Sequence, residues 1–249
     1  GDVYKRQARP VLPAPLLPEL SKLLARLPVQ DDADVLRKSL FHAGTHFNPD
    51  LLTSEAERRA RLEGVHAALD RAESLVFLDT ESTGGRNGRL IEVGLVETDV
   101  EQNITGGLHF RCNPHRRSLA RARRVHGIQD CELEHCPEFA ARADELLEAV
   151  RGKTVVIHDR TMDLLWLNRE LQAARPGAPR FEDCCTVVDS FVLARAIPSE
   201  RRRNGLDALL EWYGLGARGG HHDAYGDAAL LSRVFFELWW DLDEWLYGE

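Results

Sequence analysis

The sequence predicts a mixed α/β sheet with helices on its faces, preceded by a helical N-terminal extension. Short apolar runs such as LVFLD and KTVVIHD are typical of buried strands, because a strand covered on both faces has no polar alternation. Segments of helical period stand between the later apolar runs, an order that favours strands and helices packed in layers. The 249 residues have room for one domain of ordinary size plus an extension.

The extension precedes the predicted sheet and has two parts. Residues 1–7, GDVYKRQ, look foreign to the rest of the chain, and we expect them to be a non-native leader. Residues 8–72 are proline-rich at first, and then LLPELSKLLARL, DDADVLRKSL and SEAERRARLEGVHAALDRA carry apolar residues at helical spacing. No chemistry is evident there. We expect these helices to pack on the following domain, or to bind a second copy of the chain or another protein.

The predicted sheet domain covers residues 73–249. Its first three strands are LVFLD, RLIEVGLVETD and NITGGLHFRCN, with a hairpin turn around Glu101–Asn103. Two helices follow, HRRSLARARRVHGI and PEFAARADELLEAVRG. The strand KTVVIHD, the helix MDLLWLNRELQAA and the strand CCTVVDS come next. The helices DSFVLARAI, RNGLDALLEWYGLG and HHDAYGDAALLSRVFFELWWDLDEWL close the domain.

Composition narrows the classes of function. Lys and Arg number 32 against 40 Asp and Glu, a net charge of −8, so the chain is not one that coats nucleic acid through bulk charge. Any nucleic acid must be held locally, as a short single-stranded end would be. We find no apolar run near the roughly 18 residues that span a bilayer, and the start is too broken by proline for a secretory signal. Five cysteines, an odd number, do not suggest a disulfide framework, so we expect a cytoplasmic protein.

The first candidate site is LDTESTG, at the end of a buried strand. Asp79 and Glu81 are two residues apart, so both side chains point to the same side of the strand. Two carboxylates that leave an apolar strand together repel each other and need a cation between them, or one must take up a proton. Hard oxygen ligands suit Mg²⁺ or Mn²⁺. A strand-end pair that caps a turn is the alternative.

Two further candidate sites can each be interpreted as functional or as purely structural. Asp163 stands about one turn into the helix after KTVVIHD, where it could instead be a first-turn acid of a capped helix. His222 and Asp227 are five apart at the start of an apolar helix. An aspartate among alanine and leucine is costly there unless something compensates it, although Asp223 could simply cap the helix.

Taken together, the three sites resemble the DEDDh exonuclease family, the group that includes ribonuclease T and the epsilon subunit of DNA polymerase III. The resemblance covers residues from Ser74 to Leu238 and includes RLIEVG, VHGI, VVDSFVLAR and NGLDALLEWYGL. It implies a ribonuclease H-like fold. It also implies a metal-dependent 3′–5′ exonuclease that releases nucleoside monophosphates from the 3′ end of DNA or RNA, single-stranded by preference.

The resemblance also implies the role of each site residue, with two Mg²⁺ or Mn²⁺ ions as cofactors. Asp79 would touch both ions, and Glu81 and Asp227 would complete the site of the ion that activates water. Asp163 would hold the second ion. His222 would be the general base, chosen over the preceding histidine by its five-residue spacing to Asp227.

Substrate contacts are expected from residues that flank these sites. The predicted set is Thr80, Ser82, Thr83, Gly84, His158 and Arg203. Two arginine groups could clamp phosphates or be solvated faces: one contains five arginines between Arg116 and Arg124, and the other is Arg201–Arg203, which we favour because the motif places it beside the site. Asp159 departs from the family, which usually has asparagine there.

Two other functions remain open from the sequence. One is a nucleic-acid-binding module that has kept the fold and lost the reaction. The other is an accessory module of a polymerase. The five intact site residues argue against the first.

Overall fold

The computed structural model describes residues 55–248, and five strands form one mixed sheet within them. The strands are β1 (Ser74–Ser82), β2 (Leu90–Asp99), β3 (Ile104–Arg111), β4 (Thr154–Ile157) and β5 (Thr186–Asp189). Their order across the sheet is β3-β2-β1-β4-β5. β2 is antiparallel to both β1 and β3, whereas β4 runs parallel to both β1 and β5.

One helix precedes the strands, and the others lie between and after them. They are α1 (Glu55–Leu69), α2 (Ala120–His126), α3 (Asp130–Leu133), α4 (Ala143–Val150), α5 (Thr161–Ala174), α6 (Phe181–Cys184), α7 (Ser190–Ala196), α8 (Leu206–Trp212) and α9 (Ala224–Tyr247), with a short 3₁₀ turn at Phe139–Ala141. No helix within residues 55–248 is long and apolar enough to cross a membrane.

Apolar cores cover both faces of the sheet. Leu75 and Phe77 of β1 join the core formed with α1, α7, α8 and α9, while Val76 and Leu78 join the core formed with α4, α5 and α6. Successive residues of the middle strand therefore point into opposite cores, which is why LVFLD is an unbroken apolar run. Asp79 is the first residue at which this strand leaves the core.

The predicted mixed α/β fold is confirmed, and so is the turn at Glu101–Asn103, where Gln102 has a φ of 72°. The third helix of the extension is observed as α1, and its Leu62 and Leu69 lie in the same core as α9. The leader and the two earlier predicted helices lie outside the described residues.

The predicted arginine-rich helix is shorter than its sequence suggested. It begins at Ala120, although the apolar and basic pattern starts near residue 115. His115 has a φ of 50°, a backbone conformation that cannot belong to an α-helix. The arginines before Ala120 therefore lie on a loop.

Candidate active site

The end of β1 places the first two candidate carboxylates at the middle of the sheet. Glu81 is buried and Asp79 is partly exposed, and both follow the apolar run of the central strand. In the register with β2, Asp79 stands opposite Gly94 and Glu81 stands opposite Glu92. The strand thus brings two acids to its carboxyl end, as the alternation of residues predicted.

The first turn of α5 brings the third carboxylate to the same end of the sheet. Asp163 is 8% exposed, although it is the acid that the sequence could have placed on a solvated helix face. The hydroxyl of Thr80 donates to Asp163 Oδ1 at 2.6 Å. A residue of β1 therefore fixes the orientation of a carboxylate on the helix that follows β4.

The start of α9 brings the fourth carboxylate, and a glycine permits its close approach. A Cβ on Gly94 would lie 2.1 Å from the carbonyl carbon of Ala224 and the amide nitrogen of Tyr225, so only glycine fits at this position of β2. Asp223 caps the helix through the amides of Tyr225 and Gly226. Asp227, one turn further, is 2% exposed.

Glu92 anchors this helix to the sheet, a function that the sequence reasoning missed. Its carboxylate is 0% exposed and accepts from the amide of Ala224 at 3.1 Å. It also accepts from Arg111 Nε at 2.7 Å and lies 3.1 Å from His109 Nε2. The signal was an acid in the middle of the apolar strand LIEVGLV. Because Glu92 already has these partners, we assign it an anchoring role.

His222 lies beside the carboxylates. Its Nδ1 is 3.6 Å from Asp227 Oδ2 and 3.8 Å from Glu81 Oε1. One possible ligand atom from each of these three residues lies within 4.8 Å of the others. The preceding His221 instead lies against Gly127, where an added Cβ would stand 2.7 Å from its ring. The structure therefore brings His222, and not its neighbour, to the acidic cluster.

Arg218 is a second residue that the sequence reasoning missed, and its guanidinium enters the cluster. Its Nη1 donates to Asp227 Oδ2 at 2.6 Å and lies 2.9 Å from His222 Nδ1. Its Nε donates to Asp207 on α8 at 2.8 Å. The side chain is 13% exposed. A single cation thus stands beside Asp227 and His222, two of the residues that the sequence analysis assigned to the site.

Burial raises the pKa of all four carboxyl groups. It raises the pKa of Asp79 well above the usual range, with further increases from its three acidic neighbours. The pKa values of Glu81, Asp163 and Asp227 rise to about 8, about 7 and about 6, respectively. The charge of Arg218 opposes the rise at Asp227. This cluster therefore binds protons unless further positive charge enters it.

We predict that the chelated protein loses stability as the pH rises from 5 to 8. The pKa values of these carboxyl groups are near 4 in the unfolded state and about 6 to 8 in the folded state. Between these values the folded state binds more protons than the unfolded state, so stability falls as the pH rises across that window. Scanning calorimetry in chelator measures it. Asp79→Asn should flatten the dependence, and a melting temperature that rises with pH would contradict the prediction.

The residues predicted to contact substrate after Asp79 are engaged within the protein. Ser82 Oγ accepts from the amide of Gly84 at 3.1 Å, and Thr83 Oγ1 accepts from the amide of Arg89 at 3.0 Å. Thr80 uses its hydroxyl on the third carboxylate, as described above. The hydroxyl groups of Ser82 and Thr83 therefore shape the turn after β1, and these residues remain predictions as substrate contacts.

The remaining predicted substrate residues do not contact the carboxylates. His158 lies 2.9 Å from Ser190 Oγ and edge-on to Phe191, and burial lowers its pKa to about 4. Arg203 is exposed and pairs with Glu211 on α8. Both remain predictions as substrate contacts.

One preference of the sequence analysis needs correction. Arg201, part of the arginine group that we favoured as a phosphate clamp, has a buried guanidinium that donates to Asp241 at 2.8 Å. It also bonds Tyr213. A buried, ion-paired arginine is not available to a phosphate, so this residue braces α8 and α9.

Asp159 adopts a backbone conformation that explains why asparagine is usual in the family. Its φ is 52°, in the left-handed region that asparagine tolerates well. Its side chain is exposed, and its charge adds to the rise in the pKa of Asp163. The extra acid therefore acts electrostatically on the third carboxylate.

Solved structures with the same fold are ribonuclease H-like exonucleases. Escherichia coli exonuclease I in complex with a dT13 oligonucleotide has a TM-score of 0.52 and 18% identity, covering 69% of this chain and 41% of that one. A zinc-bound complex of the same enzyme with single-stranded DNA has a TM-score of 0.53, 19% identity, and coverage of 69% and 40%. This chain thus spans about two fifths of exonuclease I. At such identities the likeness concerns the fold.

The sequence comparisons define the family. The RNase T exonuclease model matches residues 76–235. The DNA polymerase III subunit epsilon of Rickettsia conorii is 36% identical over 168 residues, which are 66% of this chain and 72% of that protein. The corresponding subunit of Escherichia coli is 33% identical over 172 residues, covering 66% and 70%. The chain belongs to the exonuclease family.

Proposed function

We propose that the protein is a metal-dependent 3′–5′ exonuclease that removes nucleoside monophosphates from the 3′ end of DNA or RNA. The observation that carries this proposal is the convergence of Glu81, His222 and Asp227, whose possible ligand atoms lie within 4.8 Å of one another beside two further buried acids. A strand-end pair and two helix caps would not need to meet in this way.

The acidic cluster suits hard divalent ions. Oxygen ligands from several carboxylates favour Mg²⁺ or Mn²⁺, and we propose two such ions, held by Asp79, Glu81, Asp163 and Asp227. The raised pKa values support this choice, because buried carboxylates that lack enough positive charge nearby take up protons instead. When bound, divalent ions stabilise the charge that develops on the phosphate and on the leaving oxygen.

We assign the role of general base to His222. Burial and the charge of Arg218 lower its pKa, so the imidazole is neutral near pH 7 and can accept a proton from the attacking water. Thr80 keeps the carboxylate of Asp163 in one orientation through a 2.6 Å hydrogen bond. Glu92 holds the helix that bears Asp227 against the sheet.

A single-stranded 3′ end fits the charge of the protein best. With a net charge of −8, the chain cannot hold a long duplex through bulk electrostatics. The similar exonuclease I has been solved with single-stranded oligonucleotides, which supports the same substrate here. The choice between DNA and RNA, and the cytoplasmic location, stay predictions.

Digestion of matched oligonucleotides tests the proposal. DNA and RNA strands of one sequence, labelled at the 5′ end, would be incubated as single strands and as duplexes with Mg²⁺, Mn²⁺ or chelator. We expect stepwise shortening from the 3′ end with a divalent ion and none with chelator. Internal cuts, or binding with no shortening under any condition, would refute the proposal, and the second outcome would favour the silent binding module.

Arg218→Ala is expected to tighten the binding of Mn²⁺, by about tenfold, a coupling of ordinary size between two ligands of one site. The guanidinium donates to Asp227, so it must be displaced before that carboxylate can bind a metal ion. Isothermal calorimetry in the absence of nucleic acid measures the change. Arg151→Ala, which removes an exposed arginine paired with Glu148, is the control. Weaker binding in Arg218→Ala would mean that the arginine holds the site together instead.

A further inference from the structure

Four arginines lie on or against residues 84–88, in the loop between β1 and β2. The loop itself contributes Arg86, the segment before α2 contributes Arg116, α2 contributes Arg121, and α5 contributes Arg169. We call these four side chains the arginine rim. Only Arg116 and Arg121 belong to an arginine group that the sequence had singled out, because the other two are distant along the chain.

Three guanidinium groups of the rim lie against the loop. Arg116 Nη1 donates to the carbonyl oxygen of Asn87 at 2.8 Å. Arg169 Nη1 donates to the carbonyl oxygen of Arg86 at 2.8 Å. Arg121 Nη2 lies 3.7 Å from the position that a Cβ would take on the second glycine of the loop. The rim is therefore a convergence in space of side chains from three parts of the chain.

The rim carries charge that the described part of the protein does not neutralise. Within residues 55–248, no carboxylate lies within 4.0 Å of a rim guanidinium, whereas Arg89 at the end of the same loop pairs with Glu170. Carbonyl oxygens accept hydrogen bonds but bring no negative charge. Cations gathered along one loop repel one another, and in a chain with a net charge of −8 such a cluster favours an anionic ligand.

The loop that carries the rim is held in place. Gly84 and Gly85 have φ values of 90° and 74°, which other residues rarely adopt. Trp166 Nε1 donates to the carbonyl oxygen of Gly85 at 3.2 Å, and Gly84 packs so closely on Ala122 that an added Cβ would stand 2.9 Å from its side chain. A fixed loop positions the guanidinium groups before a ligand arrives, which lowers the entropy cost of binding.

The loop that carries the rim continues from the strand end that bears Glu81, and residue 84 is only three positions further along the chain. We propose that the arginine rim binds the phosphodiester backbone of the strand whose 3′-terminal nucleotide occupies the carboxylates. This inference rests on the proposed exonuclease function and adds the course of the remaining strand. Guanidinium groups match phosphate oxygens in pairs, and such contacts carry no sequence preference.

The double variant Arg86→Ala/Arg121→Ala tests the inference. Neither side chain donates a hydrogen bond within the part of the chain that the structure describes, so the fold should be unaffected. Fluorescence anisotropy in Mn²⁺ would measure binding of a 12-nucleotide single strand with phosphorothioate linkages at its 3′ end, which slow hydrolysis. A dinucleotide of the same chemistry, which has a single internucleotide linkage, serves as the second ligand.

We expect the double variant to bind the long strand on the order of tenfold more weakly than the native protein. The slope of log affinity against log salt should fall by about 1.4, or about 0.7 for each lost phosphate contact. Dinucleotide binding should not change. The matched control, Arg151→Ala/Arg175→Ala, removes two exposed arginines that pair with Glu148 and Asp144, and it should bind both ligands as the native protein does.

Unchanged affinity and slope in the rim variant would overturn the inference, and so would an equal loss in both double variants. If the native protein shortens unmodified strands while the rim variant binds normally, only this inference fails. If the native protein neither binds nor shortens any strand, the proposed function fails with it.

Discussion

Asp79→Asn is expected to slow the release of nucleotides by on the order of a thousandfold or more, the largest effect of any single change proposed for this protein. Asp79 ends the apolar run of the central strand, and its charge is coupled to Glu81, Asp163 and Asp227. Asparagine has nearly the same shape but no negative charge, so it weakens the site for divalent ions and leaves the packing of β1 unchanged.

The loss of activity should come with a gain in stability. Removing one of several buried, mutually repelling acids is expected to raise the melting temperature of the chelated protein at pH 8. Isothermal calorimetry with Mn²⁺ measures the affinity for metal, and digestion of a 5′-labelled single strand measures the rate of nucleotide release. Asp144→Asn, an exposed acid that pairs with Arg175, is the matched control and should change none of the three. An Asp79→Asn protein that digests at the native rate would refute the site.

His222→Gln is expected to reduce kcat by about a hundredfold to ten-thousandfold, the range for loss of a general base. Its Nδ1 lies 3.6 Å from Asp227 Oδ2 and 3.8 Å from Glu81 Oε1, so the ring is near the carboxylates that would hold the metal. Glutamine cannot take a proton from water at neutral pH. Because we assign the metal to the carboxylates, affinity for Mn²⁺ should change only a few-fold.

The dependence of rate on pH separates a base from a residue that merely fills space. In the native protein the rate should rise with pH as the imidazole loses its proton, and this rise should disappear in His222→Gln. His221→Gln is the neighbouring control, since that ring packs against Gly127 away from the cluster. If the two variants behave alike, or if His222→Gln keeps the native pH profile, the assignment of the base is wrong.

The sequence predicted β1, β4 and β5 because each contains an apolar run that is followed by a turn or a helix. It also predicted that Asp79 and Glu81 lie on the same side of β1, since alternation along a strand is fixed by backbone geometry. The role of Asp163 was harder to predict, because an acid in the first turn of a helix is usually solvated. The structure shows instead that Asp163 is only 8% exposed and accepts a hydrogen bond from Thr80 of β1.

The sequence did not predict the side-chain contacts that depend on the three-dimensional fold. Arg218 precedes His222 in a glycine-rich stretch, and no local pattern indicates that its guanidinium turns inward to Asp227. The prediction that Arg201 could bind phosphate was wrong because a run of three basic residues does not indicate that one of them is buried against Asp241. Side chains with four or five rotatable bonds take directions that the surrounding fold decides.

The close approach of Ala224 to Gly94 also determines when the site can first exist. The antiparallel strands β1 to β3 join neighbours in the chain and can pair early, whereas α9 must return to β2 from more than a hundred residues away. A nascent chain that has not yet emerged as far as Asp227 has neither its fourth carboxylate nor its histidine in place. The four carboxylates can therefore come together only after the chain has been synthesised through Asp227.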